Sequence, residues 1–128
     1  ITCEPQIKEI GDLISRTDVL LFGIGTAMRM ADQRHIADDV RKQLVDNHAV
    51  GEALGQYCDI DGKLIYSTNN IGLSLPDVAK IPNVIAVAGG QDKSSAIIGV
   101  MRACQKGILI IDEQAAEGMR QLLQISAL

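Results

Sequence analysis

Three charged side chains in this sequence fall in segments that open on glycine, in a pattern that could hold an anion. Lys93 falls in the stretch 83–95, NVIAVAGGQDKSS, which is an apolar run, a glycine pair and a polar turn. The apolar residues from Val84 to Ala88 suit a buried strand, and Gly89 and Gly90 let the chain turn sharply as it leaves the sheet. Lys93 is thereby placed at a strand's carboxyl end. If Gln91 and the residues after it open the next helix, backbone N–H groups and the Lys93 ammonium face one space, which suits a phosphate. The plain alternative is a solvent-facing lysine in an ordinary loop between strand and helix. Arg34 closes the segment AMRMADQR that follows Gly25, and a guanidinium fork matches phosphate geometry. Arg29 and Arg34 read equally well as helix-surface residues. Glu52 lies between Gly51 and Ala53, small neighbours that would let a ligand come close, although a surface glutamate fits the same pattern. Cations and amides for phosphate, with a carboxylate for hydroxyls, are what a phosphorylated polyol requires.

Other chemistries find less support. His35 and His48 each lie near acids, but no Ser or Cys sits in a nucleophile elbow, and Cys58 falls in an expected strand. The triplet Gly23, Ile24, Gly25 resembles the start of a dinucleotide fingerprint, yet Met28 stands where the third glycine or alanine belongs. Cys3, Cys58 and Cys104 are irregularly spaced with no CxxC pair, so neither a disulfide framework nor a metal site is expected, and the thiols are read as reduced. No cofactor is implied. A net charge of −4, with 12 Lys and Arg scattered among 16 acids, leaves no basic stripe for nucleic acid. With no Trp, two Tyr and one Phe, platforms for stacked bases are also missing. No apolar run approaches the roughly 20 residues that cross a bilayer. No secretory signal is visible in ITCEPQIKEI, and the absence of an initial Met leads us to expect a fragment.

The elements that must position these residues can be read in order. Apolar residues at Ile7, Ile10, Leu13 and Ile14 predict a helix over 5–15, followed by a buried strand over 19–24 and a glycine loop. A second helix is predicted over 36–45. Next comes a small β excursion, in which Asp61-Gly62 turns between runs carrying Tyr57 and Tyr66. Ser74, Pro76 and Asp77 start a short helix that Pro82 stops. The strand at 84–88, a helix over 96–104, a strand at 108–111 and a last helix from Asp112 complete the chain; that helix's core face is read as Ala115, Ala116, Met119, Leu122 and Leu123. Such alternation predicts one α/β domain: a three-layer, mostly parallel sheet with helices on both faces and ligands at the strand ends. On this topology the loops at Gly25 to Arg34, Gly51 to Glu52 and Gly89 to Ser94 share one edge.

Four motifs in order, GIGTAMRMADQR, AVGEALGQYCDIDGKLI, IGLSLPDVAKIPNVIAVAGGQDKSSAI and ILIIDEQAA, resemble the SorC-type sugar-binding effector domain of bacterial transcriptional regulators. The resemblance runs over nearly the whole chain from Pro5, and it is strongest to the regulators of glycolytic genes. It implies the fold of the deaminase, isomerase and CoA-transferase superfamily, used for sensing and not for catalysis. It also implies a cytoplasmic homodimer or homotetramer that grips operator DNA, commonly as a repressor, through a separate winged-helix domain. The implied effector is a phosphorylated sugar such as fructose 1,6-bisphosphate. By motif, Arg34 matches the phosphate-contacting arginine, Glu52 the hydroxyl-binding acid and Lys93 the phosphate-binding lysine; Gly25, Gly51, Gly89, Gly90 and Gln91 accompany them. This sequence departs from the pattern at Gln33, where a first arginine is common, and at Gln114, which replaces a glycine. The family's phosphate loop rich in Gly and Thr does not precede Ile1. Residues 1–128 are therefore expected to be the C-terminal part of one effector domain, with the first βα segment and the DNA-binding domain absent. The competing expectation is a sugar-phosphate isomerase or deaminase on the related fold.

Overall fold

The computed structural model describes residues 5–68 and 73–124. Helix α1 (Pro5–Ser15) precedes strand β1 (Val19–Gly23), and the chain then passes through Ile24 into the two-residue strand β2 (Gly25–Thr26). Helices α2 (Ala27–Gln33) and α3 (Asp38–Asp46) follow, then strands β3 (Gly51–Ala53), β4 (Gln56–Cys58) and β5 (Leu64–Ser67). A 3-10 turn (Pro76–Lys80) leads to β6 (Asn83–Ala88), and a second one (Gln91–Lys93) runs into α4 (Ser94–Cys104). The chain closes with β7 (Ile108–Ile111) and α5 (Glu113–Leu123).

The α/β class and the parallel sheet are as expected: β1, β6 and β7 pair in parallel in that order. The β excursion is larger than expected. It forms a second, antiparallel sheet in the order β2-β3-β4-β5. The Asp61-Gly62 turn does join two strands, with Tyr57 opposite Tyr66. The hairpin before it was not foreseen, because its two-residue turn is Leu54-Gly55, both at positive φ (54° and 79°), and Leu is no signal for such a turn.

Phe22, Val84, Ala86 and Ala88 point to one side of the parallel sheet, where they meet Val78, Ala96, Ile97, Val100, Cys104 and Ala115. The other side differs from expectation. Among the described residues no helix layer covers it: Val19, Leu21, Val87, Ile108 and Ile110 are 42% to 66% exposed. α1 buries none of its residues, and Ile10 and Leu13 stay exposed. The face of α5 is also narrower than its pattern suggests. It packs through Ala115, Gly118 and the half-buried Met119, as expected for Ala115 and Met119, but leaves Ala116, Leu122 and Leu123 exposed. A Cβ on Gly118 would lie 2.0 Å from Ser94 Oγ, so glycine is what allows this approach.

Candidate functional site

The chain leaves the parallel sheet at Gly23 and joins the antiparallel sheet at Gly25, with the Ile24 N–H donating to the Val87 carbonyl at 3.3 Å. At this junction, beside the carboxyl end of β1, lies an open cleft of about 370 Å³. Gly25, Arg34, Glu52 and Lys93 line it, with Phe22, Met30, Leu54 and Val87 among its apolar walls.

Glu52 is 3% exposed and is fixed by its own hairpin. Its Oε1 accepts from the Gly55 N–H at 2.8 Å and pairs with Arg34 Nη2 at 3.0 Å. Gly25 is the residue opposite Glu52 across the sheet. A Cβ there would stand 2.6 Å from Met30 Cγ and 3.8 Å from Glu52 Oε2, so glycine keeps this side of the carboxylate approachable. Arg34 caps the C-terminus of α2, and its half-exposed side chain reaches back to the buried acid. The chain turns away at once through His35 at φ 51°. Such a pair gives the buried carboxylate a counter-charge while leaving other guanidinium N–H groups to face the cleft.

Lys93 arrives from the other side. It ends the 3-10 turn that follows β6, and its own N–H donates to the Gly90 carbonyl at 3.2 Å. Gly90 has φ 101°, a conformation that glycine adopts without strain. The Gly90 N–H is taken by the Asp112 carboxylate at 3.0 and 3.1 Å, so the expected cradle of amides is partly committed to the protein itself. The Asp112 side chain also caps α5 by accepting from the Ala115 N–H at 2.8 Å. These backbone bonds, Ala115 first and then Gly90, hold its carboxyl below the usual range. Ser94 Oγ, in contact with Gln91 O at 2.6 Å and Ala115 O at 3.3 Å, ties the same loop to α5.

The structure thus brings Gly25, Arg34, Glu52 and Lys93 into one cleft. Gly89, Gly90 and Gln91 shape the turn that delivers Lys93. Gly51 has a different setting from the one foreseen: a Cβ there would lie 2.8 Å from the Ala96 carbonyl oxygen, so its smallness serves close packing against α4. Asp112 was legible only as a helix start, and its hold on the glycine turn was missed. Tyr57 was missed too. It lies opposite Glu52, is wholly buried, and its hydroxyl has no partner among the described residues. Burial raises its pKa, with Arg34 opposing and Glu52 and Tyr66 adding. Leaving such a group unsatisfied costs about 1–3 kcal/mol.

Burial likewise pushes the Cys58 and Cys104 thiols up to about 12 and about 11, so neither is an activated nucleophile. Cys3 lies outside the described residues. Among the described residues no group of three or more His, Cys, Asp or Glu is placed to hold a metal ion.

Residues 1–121 match the family model described as "Putative sugar-binding domain". The chain belongs to this sugar-binding domain family. Among curated relatives, the domain is 38% identical to the central glycolytic genes regulator of Bacillus subtilis over 114 residues, 89% of this chain and 34% of that protein. It is 29% identical to the deoxyribonucleoside regulator of the same species over 119 residues, 89% of this chain and 38% of that one. A solved SorC family transcriptional regulator from Enterococcus faecalis superposes with a TM-score of 0.84 at 39% identity, over 91% of this chain and 48% of that one. The domain therefore spans about a third of the length of the curated relatives it matches. No helix of the described residues is long and apolar enough to cross a membrane.

Proposed function

We propose that this chain is the C-terminal part of the effector domain of a bacterial transcriptional regulator, and that its cleft binds a phosphorylated sugar. One observation carries the reading: Arg34, Glu52 and Lys93, distant in sequence, line the same cleft. Lys93 and Arg34 receive the phosphate, and Glu52 accepts from sugar hydroxyls through the oxygen that faces Gly25. The relatedness to a central glycolytic genes regulator makes fructose 1,6-bisphosphate the first candidate. Binding alters the packing of domains or subunits in a cytoplasmic homodimer or homotetramer. That change alters the grip of a separate DNA-binding domain on its operator. The rest of the effector domain, including a first βα segment, lies elsewhere in the protein. The bare apolar face of the parallel sheet supports this, since parallel sheets are covered on both sides.

The domain senses and does not catalyse. Its two buried cysteines are held protonated, and its cleft acid is neutralised by Arg34. The test is titration calorimetry on the full-length protein with fructose 1,6-bisphosphate, ribose 5-phosphate, glucosamine 6-phosphate and a deoxyribonucleoside, together with a turnover assay for each. Binding of a sugar phosphate without turnover is expected. Lys93→Ala and Arg34→Ala should each weaken it by about 1.5–3 kcal/mol, the range for hydrogen bonds to charged groups. Unchanged affinity in both variants overturns the cleft assignment, and turnover of a sugar phosphate overturns the sensing role.

A further inference from the structure

The hydroxyl of Tyr57 is the buried side-chain polar atom left without a partner among the described residues, and the group feels the charges of both Arg34 and Glu52, the ion pair of the cleft. Tyr57 lies directly across from Glu52 in the pairing of β3 with β4. Directly opposed residues have Cβ atoms about 5 Å apart and share one face of the sheet. The ring is packed with Ala27, Ala31 and Leu44, so it cannot swing out to find water. The two partners of the ion pair are held unequally. Glu52 is buried and fastened to the Gly55 N–H, whereas the Arg34 side chain is 36% exposed at a helix end. An anion entering the cleft competes with Glu52 for that guanidinium. Once Arg34 turns to the anion, a buried carboxylate loses its counter-ion, a loss that would weaken binding.

We propose that Tyr57 is a positioning residue for effector binding: as Arg34 moves from Glu52 to the ligand's anionic group, the Tyr57 hydroxyl donates to the carboxylate Arg34 has left. Glu52 then keeps a hydrogen-bond donor and stays aimed at the ligand's hydroxyls. The hydroxyl is unsatisfied without ligand and satisfied with it, which places the whole of its effect in the bound state. This inference rests on the reading that the cleft binds a phosphorylated sugar.

The experiment compares full-length wild type, Tyr57→Phe, Lys93→Ala, Glu52→Met and the Glu52→Met/Tyr57→Phe double variant. It measures the melting temperature without ligand and the Kd for fructose 1,6-bisphosphate. Tyr57→Phe is expected to leave the unligated melting temperature unchanged or raised, while Kd rises about fivefold to tenfold. In the Glu52→Met background the same change should be silent, since no side-chain oxygen remains to receive the bond. A Tyr57→Phe protein that binds like wild type, while Lys93→Ala is weakened, overturns the inference and leaves the proposed function standing. A Tyr57→Phe protein whose unligated melting temperature falls along with its affinity also overturns it, because that is the mark of a packing role. A wild type that binds no sugar phosphate removes the proposed function and this inference together.

Discussion

Strands β3 and β4 of the antiparallel sheet are buried at every residue, whereas β1 of the parallel sheet alternates, with Val19 58% and Leu21 66% exposed. By composition the reverse would be expected, since β1 reads VLLFG while β3 and β4 carry Glu52 and Gln56. The antiparallel sheet closes within this chain because α2 and α3 cover it through Ala27, Ala31 and Leu44, while α4 lies against Gly51. Among the described residues the parallel sheet has α4 and α5 on one side and no helix layer on the other. The half of the site that depends on local closure, the Arg34–Glu52 pair on its hairpin, is accordingly braced by buried contacts. The half that depends on the parallel sheet is braced by a few hydrogen bonds around Asp112.

The contrast can be broken by paired substitutions, beginning with the seam between the sheets. Gly51→Ala would place a methyl group 2.8 Å from the Ala96 carbonyl oxygen and 2.9 Å from its Cα, both backbone atoms that cannot rotate away. We expect a loss of about 3 kcal/mol in urea unfolding. A loss under about 1 kcal/mol would mean that α4 shifts freely against β3, so that the antiparallel sheet is less tightly closed than its burial implies.

Truncation separates the two sheets directly. Leu44→Ala, at a fully buried position behind the antiparallel sheet, should cost about 3 kcal/mol. Leu21→Ala, on the bare face, should change the stability of this chain by no more than about 0.5 kcal/mol. In the full-length protein the same Leu21→Ala should become costly, by about 2 kcal/mol, if the remaining residues cover the sheet. If it stays neutral there, the face is a true surface.

Particular residues show what could be read from the sequence. Lys93 was placed correctly because a short apolar run ending in two glycines has few foldings, and each puts the next polar residues at a strand's carboxyl end. The apolar run 19–24 carries the composition of a strand buried on both sides, which is why a second helix layer was expected; composition cannot say where that layer is encoded. Gly51 illustrates a different limit. Its smallness was visible, but what approaches it was not, and the neighbour proved to be a helix backbone 45 residues further on. The Arg34–Glu52 bond depends on the Leu54-Gly55 turn that locks Glu52, and a leucine at positive φ leaves no local signature. Asp112 reads as an N-cap in any sequence. Its second role needs Gly90 to arrive from another strand.

The buried thiols give a smaller effect that probes the seam, since Cys58 belongs to β4 and Cys104 to α4. Burial raises both above their ordinary value of 9.0, so the folded protein keeps protons that the unfolded chain releases. The stabilisation is complete below that ordinary value of 9.0 and is lost as pH rises towards the folded values of about 12 and about 11. Urea midpoints measured at pH 8 and at pH 10 should therefore fall with pH, by at most about 1.4 kcal/mol per pH unit for each thiol. A Cys58→Ala/Cys104→Ala protein, less stable at every pH, should lose this part of the slope. An identical slope in wild type and the double variant would mean that water reaches the thiols. The antiparallel sheet would then be as open at its seam with α4 as the parallel sheet is on its bare face.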